Sequence, residues 1–440
     1  MNFNFENILN KYINTDENLI ISKTKGLKYS DLLDLYNKTD ISQIKPGDVV
    51  ALIGDFDASS VVFLLKLIDL KCIVVPLTKE TKNEHNYFFE NAYVDWVIEK
   101  EEIIKFESKT NFVNHPLIEK LRTTNHAGLI LFSSGTSGKP KAILHDLEPF
   151  FKRFINADKK LTTLSFLLFD HIGGLNTFFY SFFAGSKIIF PDERKPQYIW
   201  NLIQDEKVEL LPTSPTFLRL SKASVDFDKL DLTNLKLITF GTELMEESLL
   251  NWYQDKFKEI DFRQTYGLTE LGILKIKNEK RNSLFITIGG KSEFKIIEKT
   301  LHIKAEHPML GYLNSKNPFD NDGFYNTKDL VVEKNEYFKI TGRETDIVNI
   351  GGIKINPNDL EAYLLTNKKI NEVVAYGVEN KILGQTINLD IQIDNNETTS
   401  KDEIVKFILK KFPPIYRPTS INFVESKQYN HRYKKFRKNE

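Results

Sequence analysis

The sequence predicts an α/β protein: a large N-terminal domain of parallel-rich sheets covered by helices, residues 1–342, and a small C-terminal α+β domain, residues 343–440. Three observations give this class. A strand–helix–strand unit stands early in the chain. Apolar runs then recur that each end in a polar loop, and the character of the sequence changes after Gly342-Arg343. At 440 residues the chain is long enough for a large core and a second, smaller unit.

The early unit is read from its periodicity. Asp48–Ile53 is a short apolar run, residues 57–70 carry apolar side chains at helical spacing (61, 64, 65, 68), and Lys71–Leu77 is apolar again. Such a βαβ pattern implies a parallel sheet buried by helices. Three later runs share one form: Ala127–Phe132 enters Ser133–Lys141, Leu235–Phe240 precedes Gly241-Thr242-Glu243, and Asp261–Thr265 precedes Tyr266–Glu270. Ligands of open α/β sheets sit outside the carboxyl ends of strands, so the three junctions are expected to form one crevice. In the last hundred residues, Gly351-Gly352 is followed by Asn356-Pro357, a helix start running to about Leu365. Strands over Glu372–Val378 and Ile387–Ile393 and a helix over Lys401–Phe412 complete that domain.

Composition removes several functions. Sixty basic and sixty acidic residues give zero net charge, so nothing general draws the chain to nucleic acid or anionic lipid. The most apolar stretch, residues 61–77, is interrupted by Lys66, Asp69 and Lys71 and is unfit to span a bilayer. The opening residues lack a basic and apolar leader pattern, which points to the cytoplasm. Cys72 is the single cysteine and reads as a buried structural thiol. The eight histidines are scattered without the spacing of a zinc site.

The chemistry begins at Ser133-Ser134-Gly135-Thr136-Ser137-Gly138-Lys139-Pro140-Lys141. Its glycines permit close backbone approach, its hydroxyls and amides are donors to phosphate oxygens, and Lys139 and Lys141 add charge. Two residues separate the glycines and Pro140 follows Lys139, so the loop is not the Walker A type. The segment resembles the phosphate-binding signature of the adenylate-forming (AMP-binding) superfamily, which includes acyl-CoA synthetases. Further motifs follow in that family's order: Tyr266-Gly-Leu-Thr-Glu270, Tyr325-Asn-Thr-Lys-Asp329, and Gly342-Arg343 through Glu361.

The resemblance implies an ATP-dependent acid–thiol ligase, similar to acyl-CoA synthetases and in its compactness to o-succinylbenzoate-CoA ligases. A carboxylic acid would attack the α-phosphate of ATP, release pyrophosphate, and pass as an acyl group to the pantetheine thiol of coenzyme A or an acyl carrier protein. Residues Ser133 to Lys141 would hold the departing phosphates, with Gly241 and Thr242 at the nucleotide. Tyr266 and Gly267 would meet adenine, Thr269 the α-phosphate and Glu270 a Mg²⁺ ion. Asp329 would accept from ribose hydroxyls and Arg343 would reach ribose or phosphate. The C-terminal domain would act as a mobile lid, bringing Gly351-Gly352 to the pantetheine arm, although one glycine pair also suits a simple hairpin turn.

The tail departs from the pattern. Asn430 and Tyr433 replace the family's Thr and Gly, while Lys434 and Arg437 keep their spacing; Lys434 is the expected catalytic lysine, or Lys435 if the register shifts by one. The tail also reads as a basic segment that could touch RNA or membrane. Lys328 stands where the family has Gly before the ribose-binding Asp, at a cost of about 1 kcal/mol if its backbone is left-handed. In Leu167–Leu175, His171 matches the gating residue of CoA ligases, whereas Phe169-Asp170 resembles the pair that holds the ammonium group in amino-acid-activating domains. The readings therefore open are an acid–thiol ligase, an amino-acid ligase charging a carrier protein, and a nucleotide-binding homologue without turnover.

Overall fold

The computed structural model describes residues 4–14, 18–22, 25–107, 115–133, 139–394 and 397–425. The early unit folds as expected: strand Val49–Ile53, helix Ala58–Asp69 and strand Ile73–Leu77, the strands parallel and in register from Val49↔Ile73 to Ile53↔Leu77. Asp57 starts the helix by accepting from the Ser60 amide. Lys71, left-handed at φ +65°, turns the chain into the second strand. All ten strand residues are buried, which is why these segments read as unbroken apolar runs rather than alternating ones.

This unit sits in a seven-stranded sheet. Parallel strands Gly128–Ser133, Ile73–Leu77, Val49–Ile53 and Trp96–Glu99 form its middle, with Lys141–Asp146 and Gly311–Tyr312 added antiparallel on one side and Glu102–Lys105 on the other. A second seven-stranded sheet holds parallel strands Asp261–Gln264, Leu237–Phe240, Leu210–Thr213, Thr163–Leu164 and Ile188–Phe190, continued by Asn18–Ser22. Lys25–Lys28 closes its edge antiparallel. Helices Ala58–Asp69 and Ile172–Phe183 share one core with both sheets, in which the rings of Phe5, Phe151, Phe179 and Phe182 meet. Cys72 is buried there, and burial pushes its thiol well above the ordinary range.

Residues 276–343 form a six-stranded antiparallel sheet with its own apolar cluster, an element the sequence reading did not anticipate. Its strands are half-exposed and interrupted by charge, so no continuous apolar run marked them. Beyond it lies a five-stranded sheet within residues 348–423, with a separate core that includes Leu360, Val373, Leu389 and Ile404. Asn356 caps the helix Pro357–Leu364, as read. Strands Ile370–Asn380 and Gly384–Ile393 run longer than expected, and the helix ends at Leu409. Gly351 and Gly352, at φ +57° and +87°, form the tip of a hairpin between Val348–Ile350 and Ile353–Ile355. Among the described residues, no helix is long and apolar enough to cross a membrane.

One buried ion cluster joins the C-terminal sheet to the rest. Arg219, on helix Pro215–Ser224, donates to Glu246 at 2.7 Å and to Glu372 on strand Ile370–Asn380. Burial alone would weaken the guanidinium's hold on its proton, but the two carboxylates outweigh it and raise its pKa. Removing one partner strands a charge in a dry interface. Glu372→Ala is expected to cost about 3–5 kcal/mol, measured as a lower urea midpoint, with Glu372→Gln milder. An unchanged midpoint for both would show that the cluster carries no stability.

Candidate active site

The parallel strands of the second sheet end level with one another, Thr213 opposite Phe240 and Phe240 opposite Gln264. Their exits, with those of Gly128–Ser133 and Ile172–Phe183, surround a cavity of about 400 Å³. The three strand–loop junctions therefore do converge. Gly241 is required by space: a Cβ there would lie 2.4 Å from Thr265 Oγ1.

Thr269 and Glu270 are held from behind. The Nε2 of His145, on strand Lys141–Asp146, lies 2.7 Å from the Thr269 carbonyl. Burial lowers the His145 pKa to about 4, against a smaller opposing effect of that hydrogen bond, so near neutrality the ring is uncharged and Nε2–H is the donor. Tyr312 donates to Glu270 Oε1 at 2.8 Å, and the Met309 amide donates to the Glu270 carbonyl at 2.8 Å. Burial and the nearby Glu270 charge keep the Tyr312 phenol protonated. Lys141 Nζ lies 4.9 Å from the centre of the Tyr312 ring, bringing a cation to the same corner.

A second cluster centres on Asp329. Its Oδ2 accepts from Tyr266 Oη at 2.6 Å and its Oδ1 from Arg343 Nε at 2.9 Å. Burial and Asp329 raise the Tyr266 pKa far above the usual phenol range. Burial pulls the other way on Arg343, but Asp329 prevails and the guanidinium stays charged. Lys328 is indeed left-handed, at φ +62°; its amide donates to Asn326 Oδ1 and its Nζ pairs with Glu344 at 3.1 Å.

On the opposite side, His171 caps helix Ile172–Phe183, Nδ1 accepting from the Gly173 amide at 3.1 Å. Gly174 allows the preceding loop to press on the helix, since a Cβ would stand 2.2 Å from the Leu168 carbonyl oxygen. Asp170 is buried and accepts from Thr78 Oγ1 at 3.3 Å while still lining the cavity. Arg194 is tied to Asp55 through two hydrogen bonds, at 2.9 and 3.2 Å, and to the Phe166 carbonyl.

Of the residues singled out from sequence, Ser133, Lys141, His171, Gly241, Thr242, Gly267, Thr269, Glu270 and Arg343 line this one cavity. Tyr266 and Asp329 stand behind its wall, Tyr266 with its ring in the apolar cluster of the antiparallel sheet. Lys139 is exposed and off the lining. Ser134, Gly135, Thr136, Ser137, Gly138 and Lys434 lie outside the described residues. Sequence reasoning missed His145, Tyr312 and Thr327. His145 was visible only as one polar residue in an apolar strand, and nothing adjacent in sequence marked Tyr312.

A family model described as AMP-binding enzyme matches residues 42–302, more than half of the chain. The protein belongs to this family, whose fold is that of the adenylate-forming enzymes. Among curated relatives, a long-chain-fatty-acid–CoA ligase of Mycobacterium tuberculosis is 24% identical over 323 residues, covering 68% of this chain and 63% of that protein. A probable 4-coumarate–CoA ligase of Dictyostelium discoideum is 25% identical over 325 residues, covering 67% of this chain and 59% of that protein. The chain thus spans about three-fifths of the length of these relatives. Two solved structures share the fold over nearly the whole of both chains. An anthranilate CoA ligase in complex with anthranoyl-AMP gives a TM-score of 0.81 at 17% identity, covering 99% of this chain and 96% of that one. An o-succinylbenzoate CoA synthetase from Bacillus subtilis gives 0.76 at 18%, covering 98% and 97%.

The depressed His145 pKa has a stability signature. Unfolded, the ring takes a proton as pH falls below about 6.5; folded, it resists until about 4. Its contribution is therefore level above about pH 6.5 and turns destabilising as pH falls through that window, by up to about 1.4 kcal/mol per pH unit. His145→Gln is expected to lose less stability than the native chain between pH 6.5 and 4 in paired urea titrations. Parallel curves would show that His145 does not titrate as a buried neutral group.

Proposed function

We propose that the protein is an ATP-dependent acid–thiol ligase. It activates a carboxylic acid as an acyl-adenylate, releases pyrophosphate, and transfers the acyl group to the pantetheine thiol of coenzyme A or an acyl carrier protein. The observation that carries this reading is the joining, in one cavity, of the Thr269–Glu270 pair and Lys141 with the separate lobe around His171. A triphosphate and a carboxylic acid can thus meet, within a family defined by AMP binding.

The residues divide the work as follows. Lys141 and the Ser133–Lys141 loop bind the departing phosphates; Thr269 donates a hydroxyl hydrogen bond to the α-phosphate, where negative charge must be tolerated as the acid attacks. His145 fixes the Thr269 backbone, and Tyr312 orients Glu270. Among the described residues, no group of three acidic, His or Cys side chains could by itself enclose a metal ion. A single carboxylate facing a triphosphate fits Mg²⁺, which keeps waters and substrate oxygens as its other ligands, and Glu270 would hold it. The ion's chemistry would be neutralisation of phosphate charge. Asp329, through Arg343 and the strand end at Lys328, shapes the ribose side. Residues 343–440 act as a lid, carrying Lys434 to the reacting carboxylate and later the Gly351-Gly352 hairpin to the pantetheine arm.

The relatives' names support the general class: fatty acid, 4-coumarate, anthranilate and o-succinylbenzoate are all carboxylic acids. A second reading, an amino-acid ligase charging a carrier protein, rests on Asp170, which lines the cavity as an anion would to meet an ammonium group. Its hydrogen bond from Thr78 favours the first reading, because the carboxylate is met by the protein itself. Pyrophosphate exchange into ATP, measured across fatty, aryl and amino acids, decides between them. Failure of every acid while ATP still binds would leave a nucleotide-binding homologue.

Two substitutions refine the assignment. Lys434→Ala is expected to lower adenylation by about 10²-fold or more while sparing thioester formation from supplied acyl-adenylate. The same phenotype in Lys435→Ala alone would move the register by one residue. Asp170→Asn should leave activity on acids without an α-amino group within about tenfold, a change of about 1.4 kcal/mol or less. Loss of α-amino-acid activation in that variant, with such an acid the best substrate, would establish the second reading.

A further inference from the structure

The lobe of the cavity beyond the nucleotide is not simply apolar. Phe88, Phe132 and Phe166 give it ring-lined walls, with Phe88 and Phe132 stacked at 4.1 Å between centroids. Two polar side chains face the same cavity without protein partners. Thr213, at the end of strand Leu210–Thr213, is 2% exposed, and its hydroxyl oxygen makes no hydrogen bond among the described residues. Asn176, one turn past His171 on helix Ile172–Phe183, has a buried Oδ1 in the same condition.

Unsatisfied buried polar atoms are rare because each forfeits its hydration, and two in one cavity wall require a reason. Neighbouring polar residues show the contrast. Thr177 on the same helix turns its hydroxyl back to the Gly173 carbonyl, and the Ser214 hydroxyl beside Thr213 accepts from the Phe217 amide. Thr213 and Asn176 had comparable local options and do not use them.

We infer that Thr213 and Asn176 are specificity residues for a carboxylic acid that carries a neutral hydrogen-bonding substituent, a hydroxyl or an uncharged aryl amine, on a largely flat apolar body. The assignment rests on the acid–thiol ligase reading and sharpens it. Asn176 Oδ1 accepts from the substituent's O–H or N–H, and the Thr213 hydroxyl can donate to or accept from it. A second carboxylate suits the lobe less well, because the cation there, Arg194, is already matched by Asp55 through two hydrogen bonds. A site that hydrogen-bonds a substituent rejects the analogue lacking it far more strongly than an apolar pocket distinguishes two shapes, since the missing group leaves the protein atoms unpaired.

The test is pyrophosphate exchange with matched acids: benzoate against its hydroxy and amino derivatives, cinnamate against 4-hydroxycinnamate, hexanoate against 6-hydroxyhexanoate. At least one substituted member is expected to exceed its parent by about tenfold or more in kcat/KM. Thr213→Val and Asn176→Leu should each shrink that ratio, Thr213→Ser should retain it, and the loss should fall mainly on the substituted acid. Parents turned over as well as all their derivatives by the native protein would overturn the inference and leave the ligase reading intact. A ratio that survives in folded Thr213→Val and Asn176→Leu would also overturn it. Absence of exchange with every acid would remove the ligase reading and this inference with it. The native comparison decides even if a variant fails to fold.

Discussion

A carboxylate that is 4% exposed cannot remain ionised without close partners, and Asp329 is such a group. It holds one hydroxyl and one guanidinium, and each of those belongs to a segment with a different destination. Tyr266 begins the turn that leads to Thr269 and Glu270, while Arg343 ends the strand from which the chain departs to the C-terminal sheet. The pairing is self-reinforcing. Burial and the anion keep the phenol protonated and hence a donor, and the anion keeps the guanidinium charged against the pull of burial. The geometry of the cavity on the nucleotide side follows from this one buried charge.

Much of this arrangement could be read from the chain because its signals are local. Buried parallel strands such as Val49–Ile53 and Ile73–Leu77 announce themselves as apolar runs, and the loops after Phe132, Phe240 and Thr265 are marked by small and hydroxylated residues. Less was visible where the structure depends on distant pairing. The antiparallel strands of residues 276–343 bury only one face and carry lysines and glutamates on the other, so their pattern resembles that of loops. His145 and Tyr312 support Thr269 and Glu270 from positions 124 and 42 residues away in the chain, a relation no spacing rule contains. Tyr266 shows the opposite case. Its motif was legible, yet the burial of its ring behind the cavity wall follows from packing alone.

The backbone departs from easy conformations at the same place. Thr242 and Lys328 line the cavity with φ of +71° and +62°, a region where a side chain costs on the order of 1–2 kcal/mol. Thr242 is β-branched, the least suited type for that region. Gly241 beside it has no room for a Cβ, so the strand exit is shaped by crowding on one residue and strain on the next. Local preference yields there to the shape of the cavity.

Cys72 is the chain's only sulfhydryl, and it is sealed between the first parallel strands with its Sγ 3.5 Å from the Lys45 carbonyl. Burial, aided by the negative charges of Asp48 and Asp95, holds it in the unreactive form. The protein consequently brings no nucleophilic sulfur of its own to a reaction mixture. Any disappearance of free thiol belongs to the added acceptor, and a colorimetric thiol reagent can follow turnover against a silent background.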